Sequence, residues 1–142
     1  MNNDFDLNRF VEAQVDSFDT ALKELNRGQK ESHWMWFIFP QIHGLGTSAT
    51  AVRYAIKSKA EAAAYLSHLL LRSRLDQCTQ ALLNLKGKSA SAIMGFPDDM
   101  KLKSSMTLFA TISETGSIYH QVLDQYFNGN LDRKPLDILV ND

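Results

Sequence analysis

Three short stretches of this 142-residue sequence carry residue types that can do chemistry. The densest runs from His33 to Gln41 and holds Trp34, Trp36, Phe37 and Phe39, including both tryptophans of the chain. Rings packed this closely either build core, with their indole N–H groups bonded internally, or line a pocket for a flat or apolar ligand. His33 and Gln41 are the polar ends of the stretch. Either can orient a substrate, and His33 has a side chain suited to acid/base work. A histidine beside tryptophan is also a common structural group, so both readings stand on sequence alone.

The second stretch, Gly44-Leu45-Gly46-Thr47-Ser48-Ala49, has the form G-x-G-x-x-A. A dinucleotide site needs a strand before that loop and an acidic residue about 20 residues beyond it. Pro40 interrupts the preceding segment and no clear acid ends a second strand, so a Rossmann site is rejected. What remains is a glycine loop feeding a helix near Ala49. The first N–H groups of that helix, with the Thr47 and Ser48 hydroxyls, can accept a phosphate or carboxylate, and simple N-capping by Ser48 is the competing role.

The third stretch, Pro97 to Phe109, opens a helix with Leu102, Met106 and Phe109 on one row and Lys101, Ser104, Thr107 and Thr111 on another. Lys101 with the Ser104 and Ser105 hydroxyls can bind an anion, or with a depressed lysine pKa activate a serine. The order Lys-x-x-Ser reverses the Ser-x-x-Lys of known acyl-transferring enzymes. The competing reading is a solvated stripe whose hydroxyls bond to the preceding turn. Cys78 sits on a leucine-rich face and reads as a buried, inert thiol. His43, His68 and His120 share no metal-ligand spacing, so no metal or cofactor is expected.

The elements that must position these residues are helical. Leu and Ala together number 31 against 12 for Val and Ile, which favours helix over sheet. Phe18, Ala21, Leu22 and Leu25 trace one helix face before Gly28, and Leu7, Phe10, Val11 and Val15 trace another upstream. Ser58 and Glu61 have capping-box spacing. The apolar row from Leu71 to Leu85 then predicts a long helix, which Ser67-His68 can split in two. Pro97 with Asp98 and Asp99 opens a helix running to about Ser113. Tyr119, Val122, Leu123, Tyr126 and Phe127 predict one more, and a last turn or two follows Pro135. Trp34 to Phe39 is ambiguous between a short strand and a buried helical segment. The expectation is an all-α fold: one compact domain, residues 1–142, of about six to eight helices.

Charge and composition narrow the function classes. The balance of 15 basic and 16 acidic residues, net −1, argues against a nucleic-acid or anionic-membrane binder. A hydrophobic fraction of 44% excludes a disordered chain. No run approaches the roughly 18 apolar residues of a membrane span. The N-terminal residues lack signal-peptide character, and the single cysteine, Cys78, permits no intrachain disulfide. A soluble cytoplasmic protein is expected, of undetermined oligomeric state.

The stretches Phe10 to Gln14, Ser32 to Gln41, Gly44 to Gly46, Tyr54 to Ile56, Glu61 to Leu66, Pro97 to Phe109 and Val122 to Phe127 resemble a bacterial family of domains of unknown function that automated naming often labels calpastatin. The resemblance spans nearly the whole chain. It implies a single all-helical domain and brings no activity or catalytic residues. The chain departs from the family around His68 to Arg72, where it is smoothly apolar rather than turn-like. The calpastatin label implies a flexible, polar chain, and this leucine- and tryptophan-rich composition is the opposite.

The leading functional expectation is binding of a small anionic or nucleotide-like metabolite, ADP-ribose-like in character, where the aromatic segment meets the Lys101 stripe. Trp34, Trp36, Gln41, Gly44, Gly46, Thr47, Ser48, Lys101, Ser104 and Ser105 are the candidate ligand-binding residues. The first alternative is a hydrolase or transferase acting on such a ligand, with His33 as acid/base and Lys101 as electrostatic stabiliser. The second is a protein-interaction module without a small-molecule site.

Overall fold

Serine caps and leucine periodicity set most of the architecture. A computed structural model describes residues 5–140; the Met1–Asp4 part of the N-terminal segment discussed above, and residues 141–142, lie outside the described residues. Ten helices follow in order: α1 (Asn8–Val15), α2 (Phe18–Arg27), α3 (Met35–Ile38), α4 (Ala49–Arg53), α5 (Lys59–Ser67), α6 (Leu69–Asn84), α7 (Ala90–Met94), α8 (Asp98–Thr111), α9 (Ile118–Phe127) and α10 (Arg133–Val140). The Ser48, Ser58, His68, Ser89 and Ser117 side chains each accept a bond from a backbone N–H three residues on. Each bond satisfies one otherwise unpaired donor of a helix start.

The count exceeds the expected six to eight because several elements are a single turn. α3, α4 and α7 have four or five residues each, too few to display a helical period. α7 was not anticipated from the sequence. His68 decides the 59–85 region: its extended backbone ends α5, and its Nδ1 accepts from the Leu71 N–H to start α6. Among the described residues the only β pairing is an isolated parallel bridge between Ile42 and Ile56.

α8 is the axis of the core. Ser104 to Ala110 are all buried, as expected of a helix covered on every side. α7, α9 and α10 pack against it, and α6 joins α2 and α9 on the far side. A relay of rings runs through the interior. Phe10 meets Tyr65 edge-on at 5.2 Å, Tyr65 lies 5.5 Å from Phe109, and Phe109 lies 5.8 Å from Tyr119. Tyr54, at 4.9 Å from Phe37 and 5.9 Å from Phe10, ties this relay to the loop region described next. No helix among the described residues is long and apolar enough to cross a membrane.

Candidate functional site

The 40–58 segment leaves the helical core and returns to it, and the two ends are stitched by backbone. The Ile56 N–H donates to the Gln41 carbonyl and the His43 N–H to the Ile56 carbonyl, both at 2.8 Å. Ile42 and Ile56 are buried, so the bridge is fixed by apolar packing as well. Gly44 has φ +90°, a conformation that a residue with Cβ rarely adopts. At Gly46 the constraint is space, since an added Cβ would stand 2.8 Å from the Ala51 Cβ of α4. Gly46→Ala is therefore expected to lose about 1–3 kcal/mol through overpacking. Urea denaturation checks this, and Ala51→Gly in the same chain should recover part of the loss.

Arg9 holds the return strand of this excursion. From α1 its guanidinium donates to the Arg53 carbonyl at 2.8 Å, the Ala55 carbonyl at 2.7 Å and the Glu61 carboxylate at 2.9 Å. Glu61 also accepts from the Lys57 N–H at 2.6 Å, while its own N–H is capped by Ser58. The serine half of the capping box forms as read, while the glutamate reaches back one residue further, to the Lys57 N–H, and into a buried ion pair with Arg9.

On the other side, Glu24 of α2 shapes the turn before α3. Its carboxylate accepts from the Glu31 and Ser32 amides, the Ser32 hydroxyl and, at 2.8 Å, the Trp34 indole. Burial opposes ionisation, yet the Ser32 hydroxyl, the two amides and the indole outweigh it and hold the Glu24 pKa down to about 2.

Between these supports lie two hollows, each of about 320 Å³. The first has apolar walls from Ile42, Leu45, Ala51, Val52 and Tyr54, and polar groups from Gln41, His43 and Lys57. The second is lined by Lys30, His33, Ser48, Thr50 and Asp98, with Met35 and Phe37 beneath. Trp36 and Lys101 line both. The Lys101 ammonium stands 3.5 Å from the centre of the Trp36 ring and 3.5 Å from Asp98. Asp98 also pairs at 2.8 Å with Lys30, whose side chain is only 7% exposed. The wall between the hollows is thus a cation on an aromatic face, anchored by a carboxylate shared between two lysines.

Of the residues singled out in the sequence, Trp36, Gln41, Gly44, Gly46 and Lys101 meet at the first hollow, and His33, Trp36, Ser48 and Lys101 at the second. The Ser48 hydroxyl also caps α4, and Thr47 lines neither hollow. Three expectations need correction. Trp34 is core, 1% exposed, because its indole is claimed by Glu24. Ser104 is buried and donates to Asp132, next to the Thr107 hydroxyl that accepts from the Asp132 N–H. Ser105 is fully buried within α8. Ser104 and Thr107 of the α8 polar stripe are bonded to Asp132 of the loop before α10, and the threonines of the stripe bond to the preceding turn.

Lys30, Lys57, Tyr54, His43 and Asp98 were not marked as site residues by the sequence. Asp98 stood out as a helix-start acid, His43 was weighed only as a metal ligand, and Tyr54 stood out only within the Tyr54 to Ile56 stretch of the family resemblance. Elsewhere, burial pushes the Cys78 thiol up to about 12, so it is not a nucleophile at neutral pH. Among the described residues no three His, Cys, Asp or Glu side chains cluster as metal ligands.

Two comparisons with known proteins match the chain. A family model described as "Protein of unknown function (DUF1810)" matches residues 4–139. The crystal structure of the conserved hypothetical protein Rv1873 from Mycobacterium tuberculosis is 47% identical with a TM-score of 0.93, covering 96% of this chain and 97% of that one. A comparison with curated proteins finds no match.

Proposed function

We propose that this chain, which belongs to the DUF1810 family of proteins of unknown function, binds a small anionic, nucleotide-like metabolite at the two hollows flanking the Trp36–Lys101 pair. The observation that carries this reading is the Lys101 ammonium, 3.5 Å above an aromatic face and in the wall of both hollows. Lys30 and Lys57 add positive charge on either side, against one lining carboxylate, Asp98. A neutral chain can thus hold a locally cationic cleft, where low-dielectric walls strengthen attraction for an anion. Each hollow sits at the low end of the roughly 300–1,000 Å³ range of small-molecule sites, which suits a metabolite better than a macromolecule. The buried, unpaired Cys78 supports a reducing compartment such as the cytoplasm.

A thermal-shift screen of nucleoside phosphates, sugar phosphates and small carboxylates tests the proposal. At least one class is expected to raise the melting temperature. Lys101→Ala should weaken that hit about tenfold or more by calorimetry, equivalent to about 1.4 kcal/mol. A hit of unchanged affinity in both Lys101→Ala and His33→Ala overturns the site assignment, and a screen without any anionic hit overturns the function.

His33, which lines the second hollow together with Lys101 and Asp98, is the one feature favouring catalysis on such a ligand. Product analysis on any hit decides that point.

A further inference from the structure

The two hollows differ in chemistry, and the residues common to both are a cation and the ring beneath it. Resting on the ligand reading above, we infer that the natural ligand has two parts joined by a phosphodiester or diphosphate bridge: a flat heterocycle in the first hollow, a polyhydroxylated sugar in the second, and the bridge at Lys101.

The first hollow is mostly hydrocarbon and aromatic. Leu45, Val52, Tyr54 and Trp36 supply faces for a planar ring, and Gln41 offers both a donor and an acceptor to its edge. The second presents the chemistry that recognises hydroxyl groups. Ser48 and Thr50 bring hydroxyls and Asp98 brings an acceptor-only carboxylate. Asp98 would repel a phosphate placed against it, but Lys30 at 2.8 Å neutralises it without removing its accepting lone pairs. The bridging anion therefore belongs at Lys101, the one lysine lining both hollows. Size agrees, because each hollow, at about 320 Å³, is small enough to take one part of such a ligand rather than the whole.

The test compares whole molecules with their halves by calorimetry at one pH and ionic strength. ADP-ribose and UDP-glucose serve as two-part probes; AMP, UMP, ribose 5-phosphate and glucose 1-phosphate serve as halves. At least one two-part probe is expected to bind about tenfold or more tighter than either of its halves, because linked groups add their contacts at the entropic cost of one association. Thr50 is exposed on α4 and lines only the second hollow, so Thr50→Phe should fill that hollow and erase the gain. Its melting temperature separates this result from misfolding. Halves that bind as tightly as whole molecules, with affinity still dependent on Lys101, overturn the two-part ligand and leave the anion site standing. If neither halves nor whole molecules bind, the two-part ligand falls, while the broader screen above still judges the anion site. A tenfold gain that survives in folded Thr50→Phe also overturns the assignment of the sugar to the second hollow.

Discussion

Arg9→Ala is expected to remove about 3–5 kcal/mol of stability, because it leaves the buried Glu61 carboxylate without its counter-ion, held only by the Lys57 N–H. Both side chains are nearly inaccessible, at 5% and 1% exposure. The Arg53 carbonyl loses its Arg9 donor in the same step, and the Ala55 carbonyl keeps only the longer bond from the Lys57 ammonium at 3.3 Å. For a domain of this length the loss corresponds to a fall in melting temperature of roughly 10 °C or more. Arg9→Met and Glu61→Leu should not add when combined. With no isolated charge left inside, the double variant is expected to be more stable than the sum of the two single losses by about 2 kcal/mol, measured by urea denaturation of all four proteins. Strict additivity would show that the pair is not coupled. The effect should reach the site, since the carbonyls that Arg9 holds belong to the segment that closes the first hollow.

The second large effect belongs to Glu24. Glu24→Ala leaves the Trp34 indole and two backbone amides without their acceptor, and each buried orphan costs about 1–3 kcal/mol. A loss of about 3 kcal/mol or more is expected at pH 7. The carboxylate also gives the protein an acid limit. Its pKa lies near 2 in the folded chain against an ordinary 4.5, so its contribution is complete above about pH 4.5 and drains away as pH falls toward 2. The full amount is about 3 kcal/mol. Glu24→Gln cannot titrate, so the stability gap between wild type and this variant should shrink steadily between pH 5 and pH 2, roughly the window set by those values. A gap independent of pH would mean that the four donors do not hold the carboxylate ionised.

The helical class and most helix boundaries were legible because a helix is a local object. Its bonds join residues four apart, and its caps sit three residues from their donors. Ser58 and Ser48 could therefore be matched to their helices from spacing alone. α7 escaped because one turn has no period to read. Part of the site was legible too: a glycine loop, an aromatic run and Lys101 are unusual residue types in unusual concentration, and the structure gathers all three around the hollows.

Which tryptophan faces the hollow was not legible. Trp34 and Trp36 are two residues apart on a one-turn element, so no periodicity distinguishes them. Trp34 becomes core because Glu24, ten residues away, takes its indole N–H, and Trp36 becomes a wall because Lys101 arrives over its ring from another helix. The lysine stripe misled for a related reason. Spacing put Ser104 and Lys101 on one row, but Asp132, from the loop before α10, takes the serine hydroxyl, and Ser104 is buried. Sequence by itself determined most of the helices, several of their starts and the residue types available for chemistry, since these depend on neighbours along the chain. Tertiary structure alone decided the two hollows, the buried Arg9–Glu61 pair and the placement of Lys30 and Asp98, because a hollow is space left between elements whose packing is set by contacts dozens of residues apart.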